Sequence, residues 1–372
     1  MKIVTVESPR DLKRFVTAAW NIYRDDPYWV PPLIADTCDL FNSRKNLFWE
    51  HAERRVFMAL DDRGAVLGRV AAVIDHNFIR FHGEKTGFFA FFESVNDPSV
   101  SGALLSAAEL WLRDRGMEKV IGPTAPSTND EMGMLIEGYD GRPVLMMPYN
   151  PPYYHDLVRA YGFSKAKDLL AYHVDSRNLP ISRLEKLAAG VLRRNPGLTV
   201  RPVSLQHLDR ELRYAVRIYN NAWEKNWGFV PWTEQEFVAQ AMRLKPLLEP
   251  KLVQFAFLGD EPVGMIIAVP DYNEVLARLN GRLGPVELVK FLYYKRKIRL
   301  ARIMIMGTVH ALRGQGIEAL LYLSVIENGM ALGYHEGEFS WILEDNIMMC
   351  RAAEMLGGTP YRRYRVYGKR IA

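Results

Sequence analysis

Apolar residues fall into the same order of elements twice along the chain. In the first half, Gly87-Phe88-Phe89-Ala90-Phe91-Phe92-Glu93 has the continuous apolar character of a buried strand. A turn follows, then a helical period through Leu104, Leu105, Ala108 and Trp111 that stops at Gly116, then a strand at Lys119–Gly122. In the second half, Arg302–Val309 reads as the strand and Ala311–Gly316 as the turn. A helix carries Leu320, Leu321, Ser324 and Val325 to a stop near Gly333, and Glu338–Leu343 is the next strand. Each half then repeats a helix closing on glycine, at Tyr161-Gly162-Phe163 and at Leu356-Gly357-Gly358. The shared order points to a duplicated α/β plan.

A polar, basic stretch with Pro180 separates a strand at Leu169–Val174 from a new first strand at Leu198–Val203. The expected boundary is therefore near 176–197, with domains at 1–176 and 197–372. Two segments break the repeat. The first half has an extra loop, Pro123–Glu131, leading to Gly138–Pro143; the second has an insertion at 270–297. Irregular and inserted segments of this kind tend to carry function.

At 372 residues, 49% hydrophobic and 24% charged, the chain is ordinary globular material long enough for two domains. Two cysteines, Cys38 and Cys350, exclude a disulfide framework and a cysteine metal site, and no metal is expected. The N-terminus lacks the apolar core of a secretory signal, and no run of 18 apolar residues is present, so a cytoplasmic location is expected. The net charge of +5 gathers at Lys295-Arg296-Lys297, Arg299 and Arg302, and at Arg362, Arg363, Arg365, Lys369 and Arg370. Solvated positive faces account for such clusters as readily as an anionic partner does. They lack a base-reading motif, so nucleic acid is not expected as a partner.

The second-half turn carries the most specific chemistry. A strand ending at Thr308-Val309, glycines at 314 and 316, and a helix opening at Ile317 present backbone N–H groups at the positive end of a helix dipole. Arg313 adds a charged donor. The run Arg313-Gly314-Gln315-Gly316-Ile317-Glu318 resembles the acetyl-CoA signature of the GNAT superfamily, in which glycine or alanine stands where Glu318 is found here. Asn346 and the helix ending Glu354–Gly358 extend the resemblance. It implies two tandem GNAT-like domains, each a mixed, mostly antiparallel sheet flanked by helices. It also implies acyl-CoA held by Thr308, Val309, Arg313, Gly314, Gln315, Gly316, Ile317 and Asn346. The first-half turn, Val95–Gly102, lacks the arginine and the glycine pair, so that domain is expected to serve as scaffold or as a wall for the second substrate.

Acyl transfer to an amine requires a base for the amine proton and an acid for the leaving thiolate. Glu344, ending a strand after Trp341-Ile342-Leu343, is a candidate base with a partly desolvated carboxylate, and so is His310 beside the turn. Glu131 and Tyr154 stand in a polar, aromatic cluster on expected loops (Asn129–Glu131, Glu137–Asp140, Tyr149–His155) that suits a site wall. The tyrosine that many GNAT enzymes use as acid has no counterpart, its places being held by Ala353 and Val158.

The insertion reads as two short helices around Gly284-Pro285, the second rich in Leu and aromatics and ending in Lys295-Arg296-Lys297. That composition fits a helix on an anionic membrane surface or a lid over an apolar substrate, and a docking helix equally. Over its full length the chain resembles a double-GNAT bacterial family that includes the ceramide synthases. The residues that carry this are Gly87–Glu93, Gly122-Pro123, Ser127–Glu131, Tyr149–Tyr154 and Trp341–Asn346. The resemblance implies N-acylation of a sphingoid base, or its 3-keto precursor, by a long-chain acyl-CoA, with peripheral contact at the inner membrane face. A GNAT acting on a soluble or protein amine, and a non-catalytic binding protein, remain the alternatives.

Overall fold

The computed structural model describes residues 1–371. They form two compact units. Unit 1 comprises Met1–Leu169, Asn273–Tyr293 and the chain from Arg362; unit 2 comprises Leu170–Tyr272 and Tyr294–Tyr361. Strands run in chain order as β1 (Lys2–Thr5), β2 (Ala52–Leu60), β3 (Val66–Asp75), β4 (Thr86–Ser94), β5 (Lys119–Ala125), β6 (Glu131–Met132), β7 (Met134–Glu137) and β8 (Ser164–Asp175). They continue as β9 (Leu198–Pro202), β10 (Val253–Leu258), β11 (Glu261–Pro270), β12 (Leu300–Thr308), β13 (Glu336–Leu343) and β14 (Thr359–Arg370).

In unit 1, β1 through β4 pair antiparallel in sequence order. The helix Pro98–Arg113 then crosses to β5, which lies parallel to β4 from Thr86 opposite Lys119. A parallel neighbour requires such a crossover. The helix begins where Asp97 accepts the Ser99 N–H at 2.8 Å and Pro98 takes the first position. Its Leu104, Leu105 and Leu112 pack with Phe89 and Val120 in the unit's core.

In unit 2, β9, β10, β11 and β12 pair antiparallel, and β12 meets β13 in parallel after the helix Ile317–Ala331. The two-residue period of β10 sends Val253, Phe255 and Phe257 to one core with the helix Leu208–Trp223. It sends Ala256 to another core with the helix Ile317–Ala331. Both units thus carry a mixed, mostly antiparallel sheet flanked by helices, in the order expected.

Three sequence expectations are corrected. Residues 176–197 are no linker: a 3₁₀ turn at Ser176–Asn178 leads into the helix Ile181–Arg194, which buries Leu184, Ala188 and Val191 in the core of unit 2. Those positions share one helical face, a period hidden by the surrounding basic residues. Nor do the units follow the expected spans 1–176 and 197–372, because the insertion's Asn273–Tyr293 and the chain from Arg362 belong to unit 1. The reason is pairing and close fit: Tyr367 lies opposite Gly122 of β5, and the Gly281 carbonyl accepts the Ile34 N–H at 3.0 Å. Finally, the C-terminal basic cluster is not a solvated face. Arg365 binds the buried Asp168 through two hydrogen bonds at 2.7 and 2.9 Å, Arg362 donates to the Gly138 carbonyl, and Arg363 pairs with Glu137. 

Gly281 has φ +74°, and a Cβ there would stand 2.4 Å from the Trp20 ring and 2.9 Å from the Pro32 carbonyl. Gly281→Ala is expected to cost about 2 kcal/mol or more, from left-handed strain plus overpacking. Gly314→Ala, at φ +75° in open space, should cost only about 1 kcal/mol. Urea unfolding of the two variants checks the ranking, and equal losses would contradict it.

Candidate active site

The site in unit 2 begins with a parting of strands. β12 and β13 pair in parallel from Leu300–Glu336 to Ile303–Phe339 and no further, although they continue to Thr308 and Leu343. On its other edge β12 stays paired with β11 as far as Thr308, but the register jumps from Ile267–Ile305 to Ala268–Ile303. Met304 is the extra residue of that bulge. A bulge bends its strand and ends local pairing, so Met304 marks the point where β12 leaves β13. Backbone groups of the parted stretches face a gap instead of each other.

The gap opens beside the glycine turn. Val309 donates to the Val263 carbonyl at 2.9 Å and ends the strand; His310–Leu312 make one 3₁₀ turn. Gly314 and Gly316 take left-handed φ values of +75° and +85°, and the helix starts at Ile317. The first N–H groups of an α-helix have no intrahelical acceptor, so Gly316, Ile317 and Glu318 present donors at the positive dipole end. Arg313, Gly314 and Gln315 are exposed residues. Main-chain donors arranged in this way form a cradle that can accept an anion.

The side chains around it are committed to holding the turn. The Arg313 guanidinium, expected as a phosphate donor, hydrogen-bonds the Ala222 carbonyl. The Asn221 side chain accepts the His310 N–H at 2.7 Å. Both ties anchor the turn to the helix Leu208–Trp223, and the Trp223 ring lies where a Cβ on Gly307 would stand, at 2.6 Å. Glu318 does not project into the cradle: its carboxylate accepts the Thr308 hydroxyl at 2.7 Å and ties the strand end to the first helical turn. The departure from the GNAT signature at 318 is therefore a structural staple. Asn346 caps the helix Ile347–Met355, accepting the Met349 N–H at 3.3 Å.

Of the candidate catalytic groups, His310 is exposed at the turn and Glu344 is half-buried at the end of the parted β13. Glu131 is half-buried in β6, paired with Ala125 of β5 in unit 1. Tyr154 does not line a loop as expected. It opens the helix Tyr154–Ala160, is 1% exposed, donates to Glu93 at 2.6 Å and accepts the Ser94 N–H at 3.0 Å. Burial pushes its phenol well above 10. Apolar neighbours at Leu157 and Val158 draw it into the core.

Sequence reading missed Asn221, the Ala222 carbonyl and the Thr308–Glu318 tie, since nothing local marks partners ten or ninety residues away. It also missed Trp341, whose buried indole N–H, on the parted stretch of β13, has no hydrogen-bond partner among the described residues. In unit 1 it missed a buried cluster at the end of β4. There Glu93 accepts from Tyr23 at 2.9 Å and from Tyr154, and pairs with Arg69 at 3.3 Å.

Fold, parted strands and glycine turn are those of a tandem GNAT-type acyltransferase. No protein-family profile matches the chain. Individual relatives do. The chain is 34% identical over 379 residues to bacterial ceramide synthase of Caulobacter vibrioides (strain NA1000 / CB15N), covering 100% of this chain and 98% of the relative. It is 35% identical over 374 residues to Protein YghO of Escherichia coli (strain K12), covering 99% and 95%. Solved structures share the fold at low identity. A tandem GNAT protein from the clavulanic acid biosynthesis pathway has TM-score 0.60 and 13% identity, covering 100% of this chain and 98% of that one. A GCN5-related N-acetyltransferase from Sphaerobacter thermophilus has TM-score 0.53 and 13% identity, covering 99% and 96%. The protein belongs to the double-GNAT family that includes bacterial ceramide synthase.

Burial raises the Glu93 carboxyl above its ordinary 4.5, against the pull of Arg69 and the two phenols. The folded chain then holds this proton to higher pH than the unfolded chain. Its contribution is complete below 4.5 and declines as pH rises through the raised value. The stability of the wild type relative to Glu93→Gln should therefore fall as the pH is raised above 4.5. Denaturant unfolding across that range checks it, and a relative stability that rises with pH would refute the assignment.

Proposed function

We propose that this protein transfers a long-chain acyl group from acyl-CoA to the amine of a sphingoid-type base. The observation that carries the acyl-CoA half is the main-chain cradle beside the parted strands of unit 2. Phosphates sit on the N–H groups of Gly314 to Glu318, flanked by Thr308 and Val309 on the strand side and by Asn346 at the next helix. Arg313 steadies the turn. The parted strands offer backbone donors and acceptors to the amide-bearing arm of the cofactor.

Glu344 is the proposed base. The amine nitrogen attacks the thioester carbonyl and its proton passes to Glu344. The C–N bond forms, the C–S bond breaks, and the CoA sulfur leaves and takes up a proton. His310 and Glu131 are the competing bases. Glu344→Gln should lower turnover by roughly 10²–10⁴-fold at unchanged folding, whereas wild-type rates in steady-state kinetics would move the role to His310 or Glu131.

Two observations support a lipid acceptor. The first is full-length similarity to a protein named bacterial ceramide synthase. The second is the insertion helix Pro285–Tyr294, which buries none of its residues. It exposes Val286 at 63%, Val289 at 68% and Tyr293 at 57%, with Leu288 and Leu292 also open and Leu283 open just before it. The chain then runs directly into Lys295-Arg296-Lys297. Apolar side chains left in water next to cations fit an anionic bilayer surface, where each Lys or Arg contributes about 1 kcal/mol. Among the described residues no helix is long and apolar enough to cross a membrane. The proposed contact is peripheral, at the inner membrane face of the cytoplasm.

The deciding assay offers short- and long-chain acyl-CoA with sphingoid bases, soluble amines and peptides, and reads products by mass spectrometry. N-acyl sphingoid product is expected. Products on soluble amines alone would replace the acceptor, and no product from any thioester would leave a binding protein. Replacing Val286, Val289 and Tyr293 with serine should release the protein from anionic vesicles in flotation; undiminished flotation would rule out the helix as the contact.

A further inference from the structure

Unit 1 holds a cleft of about 720 Å³ distinct from the cradle described above. Its walls include Asp156 and Arg159 from the helix Tyr154–Ala160, Phe163 and Lys165 from the turn into β8, and Arg365 and Tyr367 from β14. Three features make it more than a surface fold. Arg365 and Lys165 are fixed in place by the fully buried Asp168, at 2.7 Å and 3.1 Å. The Arg159 guanidinium, by contrast, is exposed and makes no hydrogen bond or ion pair among the described residues. Tyr367 is 1% exposed, yet its hydroxyl borders the cleft without a hydrogen-bond partner among the described residues.

The chemistry of these groups selects a ligand. Three cations face two carboxylates, and one carboxylate, Asp168, is already consumed by Arg365 and Lys165. The open groups are a guanidinium fork, which only donates, and a phenol, which can donate. Burial lifts the Tyr367 hydroxyl to about 12, so it stays protonated and able to donate at neutral pH. Guanidinium forks match tetrahedral oxyanions bidentately. Phe163 and the Tyr367 ring supply apolar floor, and the single carboxylate on the rim, Asp156, leaves the cations of the cleft in excess. We propose that this cleft is a second ligand site that takes a single phosphate group, with Arg159 and the Tyr367 hydroxyl as its donors.

Such a phosphate has two sources, a free phosphomonoester or a phospholipid headgroup, and the test separates them. Inorganic phosphate is titrated into the full-length protein by calorimetry at constant ionic strength, with chloride as the control. Saturable binding is expected, weakened about tenfold or more in Arg159→Ala and also in Tyr367→Phe, which removes only the hydroxyl. Flotation with phosphatidic acid vesicles against phosphatidylcholine vesicles follows, in a background with Val286, Val289 and Tyr293 replaced by serine so that the helix Pro285–Tyr294 does not itself supply the contact. Loss of phosphatidic acid binding in Arg159→Ala assigns the headgroup; retained flotation with weakened phosphate binding assigns the free anion. Phosphate binding that is absent from the wild type, or equal in all three proteins, overturns the site. None of these readouts depends on acyl transfer, so the outcome stands apart from the catalytic proposal.

Discussion

Much of unit 2 follows from the fact that β12 and β13 cannot stay paired past Ile303 and Phe339. Parallel neighbours share evenly spaced, slanted hydrogen bonds, and one inserted residue on one edge is enough to break that spacing. Met304 is that residue. Beyond it, polar main-chain groups on two strands lose their mutual partners, and buried groups of this kind must be satisfied by water or by a ligand. The strands therefore cannot close over one another, and a gap persists at the end of the sheet where the crossover helix begins.

The helix start beside the gap is held by contacts that have little to do with ligand recognition. Arg313 reaches the Ala222 carbonyl, Asn221 holds the His310 N–H, and Thr308 and Glu318 clasp each other across the turn. Each tie takes a polar side chain out of the cradle and leaves main-chain donors to define it. Main-chain donors on a short, braced turn cost no side-chain entropy when an anion arrives. The same logic explains why a glutamate is tolerated where the signature has a small residue: its charge is spent on a hydroxyl of the preceding strand.

Unit 1 repeats the strand–helix–strand order and fills the corresponding end differently. Its turn is an Asp97-capped helix start without the glycine pair, and the end of β4 carries Glu93 inside a ring of Arg69, Tyr23 and Tyr154. That ring satisfies the carboxylate on both oxygens, which is what a buried charge demands. The insertion and the C-terminal strand both add to this unit, so segments distant in sequence complete one core.

The sequence by itself determined what depends on near neighbours. Runs such as Gly87–Glu93 and Arg302–Val309, the helical period of Leu320 to Val325, and the paired glycines at 314 and 316 encode their structure within a few residues. Strands, crossover helices and the cradle were accordingly legible, as was the repeated order that makes two GNAT-type halves. Helix Ile181–Arg194 was legible too, had the spacing of Leu184, Ala188 and Val191 been weighed above its basic residues. Only the tertiary structure decided which groups remain available for chemistry. Whether Arg313 is free, whether Glu318 intrudes and whether Tyr154 is a wall or a core residue depend on partners at positions 222, 308 and 93, and no local rule names a partner so far away. The unit to which residues 273–293 belong was likewise settled by close packing of Gly281 on Trp20, a fit between surfaces that the chain's order does not encode.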